Sequence, residues 1–103
     1  MLNLSHLRKQ IDRLDDRMVL LINRRLRLAE KIGELKARNG EKVYNRRREQ
    51  ELLTRLSNQQ SGLITHSELR SIYQWILRAS RAHQKRVFRQ TQYRLLQTTR
   101  KKF

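Results

Sequence analysis

Arg25 stands where the surrounding pattern calls for an aliphatic side chain. It lies seven residues after Met18 and seven before Ile32, and Ile11 and Leu4 continue the same register toward the N-terminus. A guanidinium in an apolar helical seam costs on the order of several kcal/mol unless it is paired and hydrogen-bonded. Two readings are open: a structural salt bridge or polar register device, and a site that receives an anion. Lys36 bears on the second. It follows Arg25 by eleven residues, and eleven helical steps return to within about 20° of the same face, about 16 Å along the axis. Two long cationic side chains so placed can converge on one small anion. Taken alone, Lys36 reads as a solvated lysine near a helix end.

A second break lies near the C-terminus. Ser80 and Gln84 are four residues apart, hence on one helical face. They interrupt an apolar line that runs through Tyr73, Ile76 and Leu77 and resumes at Val87 and Phe88. Uncharged polar groups in such a line want partners, although Ser and Gln also sit harmlessly at helix edges. Between the two breaks, Arg46-Arg47-Arg48-Glu49 supplies a basic cluster with one acid. Most such runs are solvated, but helical periodicity places Arg48 and Glu49 nearest the face of Leu52 and Leu56.

Other chemistries find no support. Cysteine is absent, which excludes disulfides, thiolate metal sites and a cysteine nucleophile. His6, His66 and His83 lack paired metal-ligand spacing and read as surface or cap residues, so no metal is assigned. No Gly-rich loop cradles a phosphate, and no elbow presents a serine. What remains is fixed charge and fixed hydrogen-bond donors.

The elements that must position these residues are helices. Pro is absent and Gly occurs three times in 103 residues, so little interrupts a helix. The set Leu4, Ile11, Met18 and Ile32 and the unbroken set Leu7, Leu14, Leu21, Leu28 and Leu35 form a heptad stripe. The helix they imply is about 50 Å long, more than a compact domain of this size accommodates. It must pack along something equally long: the rest of the chain could cover part of it, and a second copy could cover the remainder. Asn39-Gly40 ends it. A short second helix is expected over residues 45–56, then a polar turn over 57–62. A third helix starts where Thr65 and Glu68 form a capping box and Ile64 and Leu69 a hydrophobic staple, and it continues toward Leu96. The class is all-α, with a long, a short and a long helix.

The formal net charge is +16, and no acid follows Glu68. Such a charge steers anions of any kind, and guanidinium suits carboxylate or phosphate. No apolar run approaches the roughly 20 residues of a membrane span, and the opening residues lack a signal-peptide pattern. A cytoplasmic protein without a membrane partner is expected.

Five segments in order carry a family resemblance. Residues 7–15 read LRKQIDRLD, similar to "LRxxIDxLD", and residues 21–29 read LINRRLRLA, similar to "LLxxRxxLA". Ile32-Gly33-Glu34-Leu35-Lys36 resembles "IGxxK", residues 43–49 resemble "VxDxxRE", and residues 80–84 resemble "SxxxQ". Over roughly residues 4–90 the chain resembles the all-α (AroQ class) chorismate mutases, including the mutase domains fused to prephenate dehydratase or dehydrogenase.

The resemblance implies three helices per chain in an intertwined six-helix homodimer, with a mutase domain over residues 1–90 and a basic extension of the third helix over 91–103. It implies rearrangement of chorismate to prephenate, for phenylalanine and tyrosine biosynthesis, with no cofactor. Arg25, and Arg8 from the other chain, would clamp the two substrate carboxylates with Arg48 assisting. Arg8 lies about 26 Å from Arg25 along one helix, beyond the reach of a shared small ligand. Lys36 and Gln84 would hydrogen-bond the ether oxygen, Glu49 would hold the ring hydroxyl, and Ser80 would line the pocket. Asn45 belongs to the substrate-binding set but replaces the family's usual Asp, and Arg81 replaces a usual apolar neighbour, adding positive charge. An isochorismate-pyruvate lyase on the same fold is the nearest alternative. A basic helical nucleic-acid-binding dimer is a more distant one, since it would not need Arg25 in the seam, and a structural or regulatory relative without turnover would not need the near-complete residue set.

Overall fold

The computed structural model describes residues 3–59 and 62–101, and these form three helices: α1 (Leu4–Asn39), α2 (Arg46–Gln59) and α3 (His66–Lys101). Each start is capped by its own sequence. Asn3 accepts from the His6 backbone N–H at 2.8 Å ahead of α1, and Asn45 from that of Arg48 at 3.0 Å ahead of α2. At α3, Thr65 Oγ1 accepts from the Glu68 N–H at 3.0 Å and Glu68 Oε1 from the Thr65 N–H at 2.9 Å, the reciprocal capping box. The bonds from the Thr65 backbone and hydroxyl hold the exposed Glu68 carboxyl below its ordinary pKa. Its contribution to the helix start is therefore present at neutral pH and lost as pH falls through that lowered value. α1 stops at Gly40, whose φ of 69° is left-handed, with Glu41 N–H returning to Lys36 O at 2.8 Å.

Two boundaries differ from the sequence reading. Ser57, Asn58 and Gln59, expected in a turn, extend α2. No Gly or Pro lies between Gly40 and Gly62, and an Arg55–Gln59 bond at 3.4 Å spans one turn of the added helix. The remainder of that expected turn at positions 60 and 61 lies outside the described residues. α3 continues past Leu96 because nothing after it breaks a helix.

α3 runs antiparallel to α1, since Lys36 meets Gln84 while Glu30 meets Arg86. α2 lies against α3. The tightest point is Gly33, where a Cβ would stand 2.5 Å from the Gln84 carbonyl oxygen. Ala29, Leu52 and Leu77 are the buried apolar side chains, joined by Ser80 and Thr91.

The assembly is flat. It measures 73 × 28 × 15 Å with a radius of gyration of 18.9 Å, against about 13 Å for a compact chain of 100 residues. The heptad stripe is not what α3 covers. Leu7, Ile11, Leu14, Met18, Leu21, Leu28, Ile32 and Leu35 are all 43–59% exposed. Packing uses the adjacent stripe of Ala29 and Gly33 instead. Among the described residues no helix is long and apolar enough to cross a membrane.

Replacing Gly33 with Ala adds about 1 kcal/mol of helix propensity but drives a methyl into backbone, and overpacking of that kind costs about 1–3 kcal/mol. The expected result is a lower thermal midpoint and a weakened Lys36–Gln84 contact. An unchanged or higher midpoint in a thermal melt would show that the two helices can separate without loss.

Candidate active site

The α1–α3 crossing and the start of α2 enclose a cleft of about 320 Å³. α1 contributes Arg25 and Lys36, the start of α2 contributes Asn45, Arg48 and Glu49, and α3 contributes Ser80, Arg81 and Gln84. The remaining lining is apolar, with Leu28, Ala29 and Ile32 beneath and Val43, Leu52 and Leu77 at the side. Every residue of the set chosen from sequence lies here except Arg8. That residue is exposed near the far end of α1, seventeen positions from Arg25.

The donors are held in place. Lys36 Nζ donates to Val43 O at 2.7 Å and to Gln84 Oε1 at 3.2 Å, while Gln84 Nε2 donates to Ser80 Oγ at 3.2 Å. An ammonium has three donors and a primary amide two, so Lys36 and Gln84 each retain one N–H beyond these bonds. Both side chains are partly buried. Ser80, buried on α3, orients the amide. Asn45 spends its side-chain oxygen on capping α2, a task that Asn and Asp perform alike. The departure from Asp therefore leaves that bond intact.

Charge in the cleft is one-sided. Among the described residues, no carboxylate pairs with Arg25, Lys36 or Arg48, whereas Glu49 is paired with Arg81. The positive charge that Arg81 adds to the cleft lining is met by the Glu49 carboxylate, 32 positions away in sequence. Nothing in local periodicity signals that pair. The same holds for the Val43 carbonyl, a backbone acceptor with no side-chain signature. Among the described residues, Arg25 has no salt-bridge partner. It is half-buried and faces a cleft whose one acid is already engaged.

The histidine reading needs one correction. His6 and His66 are exposed near helix starts, but His83 is half-buried with its Nδ1 3.6 Å from Glu30. Glu30 also accepts two bonds from Arg86 at 3.1 Å. This cluster ties α1 to α3 outside the cleft lining. Among the described residues, no group of three His, Cys, Asp or Glu could hold a metal ion.

Three unpaired cations, an engaged carboxylate and a fixed Lys–Gln donor pair can bind a small polyanion. They can also stabilise negative charge growing on an oxygen held near Lys36 and Gln84. Comparison with known proteins agrees in kind. Residues 7–85 match the family described as chorismate mutase type II. The chain is 33% identical over 88 residues to a bifunctional chorismate mutase/prephenate dehydratase of Aquifex aeolicus (strain VF5). That alignment covers 82% of this chain and 24% of the relative, so the chain spans about a quarter of that protein's length. Its fold matches the crystal structure of chorismate mutase from Helicobacter pylori in complex with prephenate, with a TM-score of 0.77 and 32% identity. The match covers 84% of this chain and 93% of that one.

Converging unpaired cations repel one another, so a residue kept for a ligand should be dispensable for folding. Arg25→Met is expected to leave the unfolding midpoint unchanged or raised at fixed protein concentration. A drop of about 3 kcal/mol or more, the signature of a broken buried ion pair, would restore the salt-bridge reading.

Proposed function

The chain belongs to the chorismate mutase type II family, and we propose that it converts chorismate to prephenate as an intertwined homodimer. The observation that carries this reading is the convergence of Arg25, Lys36 and Arg48, all unpaired within the described chain, on one cleft with Gln84 and Glu49. The reaction is a Claisen rearrangement within one molecule. An ether C–O bond breaks as a C–C bond forms, and no protein atom is transferred. Catalysis then consists of holding a flexible dianion in its reactive conformer and meeting the charge that develops on the ether oxygen.

The residue roles follow the positions. Arg25 and Arg48 bind the substrate carboxylates. The remaining N–H groups of Lys36 and Gln84 donate to the ether oxygen, with Ser80 fixing the amide. Glu49 accepts from the ring hydroxyl, and Asn45 shapes the wall while capping α2. Residues 1–90 form the mutase domain and 91–101 extend α3; the rest of that expected extension, at positions 102 and 103, lies outside the described residues. The setting is aromatic amino-acid biosynthesis in the cytoplasm. The prephenate complex of the Helicobacter pylori relative supports this choice of product.

Arg8 completes the site from the second copy. The exposed stripe from Leu7 to Leu35 supports this arrangement. Covering a half-exposed Leu, Ile or Met contributes about 1 kcal/mol or more, and the stripe repeats that gain along α1. An antiparallel partner helix would carry its own Arg8 toward this chain's Arg25.

Purified protein incubated with chorismate should yield prephenate. Pyruvate release from isochorismate instead would indicate the lyase. Untouched substrate combined with salt-sensitive RNA binding would sink the mutase reading. Lys36→Ala should reduce kcat on the order of 10²–10³-fold, the loss typical of one preorganised donor.

Shared sites also predict complementation. Arg8→Ala and Arg25→Ala homodimers should each be nearly inactive. Unfolded together and refolded as a mixture, they should recover about a quarter of wild-type activity, because half the dimers are mixed and each holds one intact site of two. A mixture no more active than its parents would place Arg8 outside the site.

A further inference from the structure

We propose that Arg81 is a positioning residue, whose pairing with Glu49 lets a carboxylate stand in a pocket built for a dianion and leaves one carboxylate oxygen for the substrate hydroxyl. The inference rests on the mutase reading and deepens it. Among the described residues, Glu49 is the one acid lining the cleft. Unscreened, it would repel both substrate carboxylates, and like charges in a partly desolvated site disfavour binding. Arg81 removes that conflict from behind. Its Nη1 donates to Glu49 Oε1, with the two side chains 28% and 19% exposed. Oε1 is thereby committed, and Oε2 is the oxygen left to accept from a hydroxyl.

Arg81 is itself fixed. Its guanidinium lies 5.3 Å from the centre of the Tyr44 ring, a distance at which cation and ring attract. Tyr44 belongs to the segment joining α1 to α2, between Val43, which accepts from Lys36, and Asn45, which caps α2. One side chain on α3 therefore grips both the acid and the loop that helps seat Lys36. Behind Glu49, Leu77 and Arg81 lies a second cleft of about 410 Å³ that also contains Arg46 and Arg78. Glu49 and Arg81 form part of the wall between the two clefts, so without Arg81 the carboxylate could turn toward those arginines.

A purely structural tie between α2 and α3 would predict loss of stability with no change in KM or prephenate affinity of the folded enzyme. A double-mutant cycle separates the two cases. Arg81→Met, Glu49→Gln and the double variant are compared with wild type by chorismate kinetics, prephenate titration calorimetry and thermal melts. Arg81→Met is expected to raise KM and weaken prephenate binding on the order of tenfold, with a smaller change in kcat. In the Glu49→Gln background the same substitution should change KM less than about twofold, because no charge is left to neutralise. Arg81→Lys, which keeps the charge, should recover much of the loss.

Equal losses in both backgrounds would overturn the proposal, as would an Arg81→Met enzyme with wild-type KM. If Arg81→Met melts early, Arg81→Lys decides. A folded lysine variant that fails to recover substrate binding also overturns it. Wild-type protein that does not turn over chorismate overturns the mutase reading and this inference with it, whereas an active wild type with no coupling overturns this inference alone.

Discussion

Gly33 lets the α3 backbone come closer to α1 than any side chain would allow, and the cleft is a consequence of that approach. A Cβ at this point would collide with the Gln84 carbonyl oxygen. With no Cβ there, Gln84 sits directly across from the α1 turn that ends in Lys36, and the two side chains meet at 3.2 Å. The same crossing lets Glu30 receive Arg86 one turn away. Lys36 then reaches over to Val43 and draws in the start of the loop that carries Asn45 to the head of α2. Arg48 and Glu49 follow in the first turn of that helix. One missing methyl thus propagates through two helices and a loop into the position of most polar groups in the cleft.

The charges set by this scaffold pull against folding. Arg25, Lys36 and Arg48 face one space without acids of their own among the described residues. Arg81, by contrast, is matched with Glu49, and Arg86 with Glu30. The chain therefore has acids capable of pairing inside and beside the cleft, and they are held by other arginines. An arrangement that maximised stability would distribute them differently. Binding sites for anions are places where such unfavourable fields are kept, since a bound dianion recovers what the empty arrangement forgoes.

Much of this was legible in the chain before any coordinates. The caps at Thr65 and Gly40 follow from local chemistry and appear where that chemistry puts them. Arg25 and Lys36 were recognisable because helical periodicity is rigid enough to align residues eleven apart. Ser80 and Gln84 were found the same way, as polar breaks in an apolar line. α2 runs past the turn that Ser57 and Asn58 suggest, because no Gly or Pro stops it there and Arg55 bonds Gln59 one turn on. Arg81–Glu49 and Lys36–Val43 were invisible for a different reason. The first joins residues on separate helices, and the second ends on a backbone carbonyl, so neither leaves a periodic trace. The heptad stripe was read correctly as apolar and as one continuous face. Which stripe α3 would choose depended on the small residues Ala29 and Gly33, a preference for close approach that a hydrophobic pattern does not express.

That choice explains why the site and the surface share one incompleteness. Because α3 settles on the small-residue stripe, the larger aliphatics of α1 remain outside, from Leu7 to Leu35. Arg25 belongs to the register of those outward aliphatics, yet it also lines the cleft, since Ala29 and Gly33 lie only about 40° and 80° round the helix from it and a long guanidinium reaches from one stripe to the edge of the other. The cleft is therefore open on the flank where the exposed stripe begins. Any surface that covers the leucines must also close over Arg25. In the proposed dimer a second α1 laid antiparallel would meet both needs at once, its apolar stripe matching this one and its own Arg8 coming to where a fourth cation would face a bound dianion. On that proposal, assembly and catalysis both follow from one packing choice, made where α1 offers a glycine to α3.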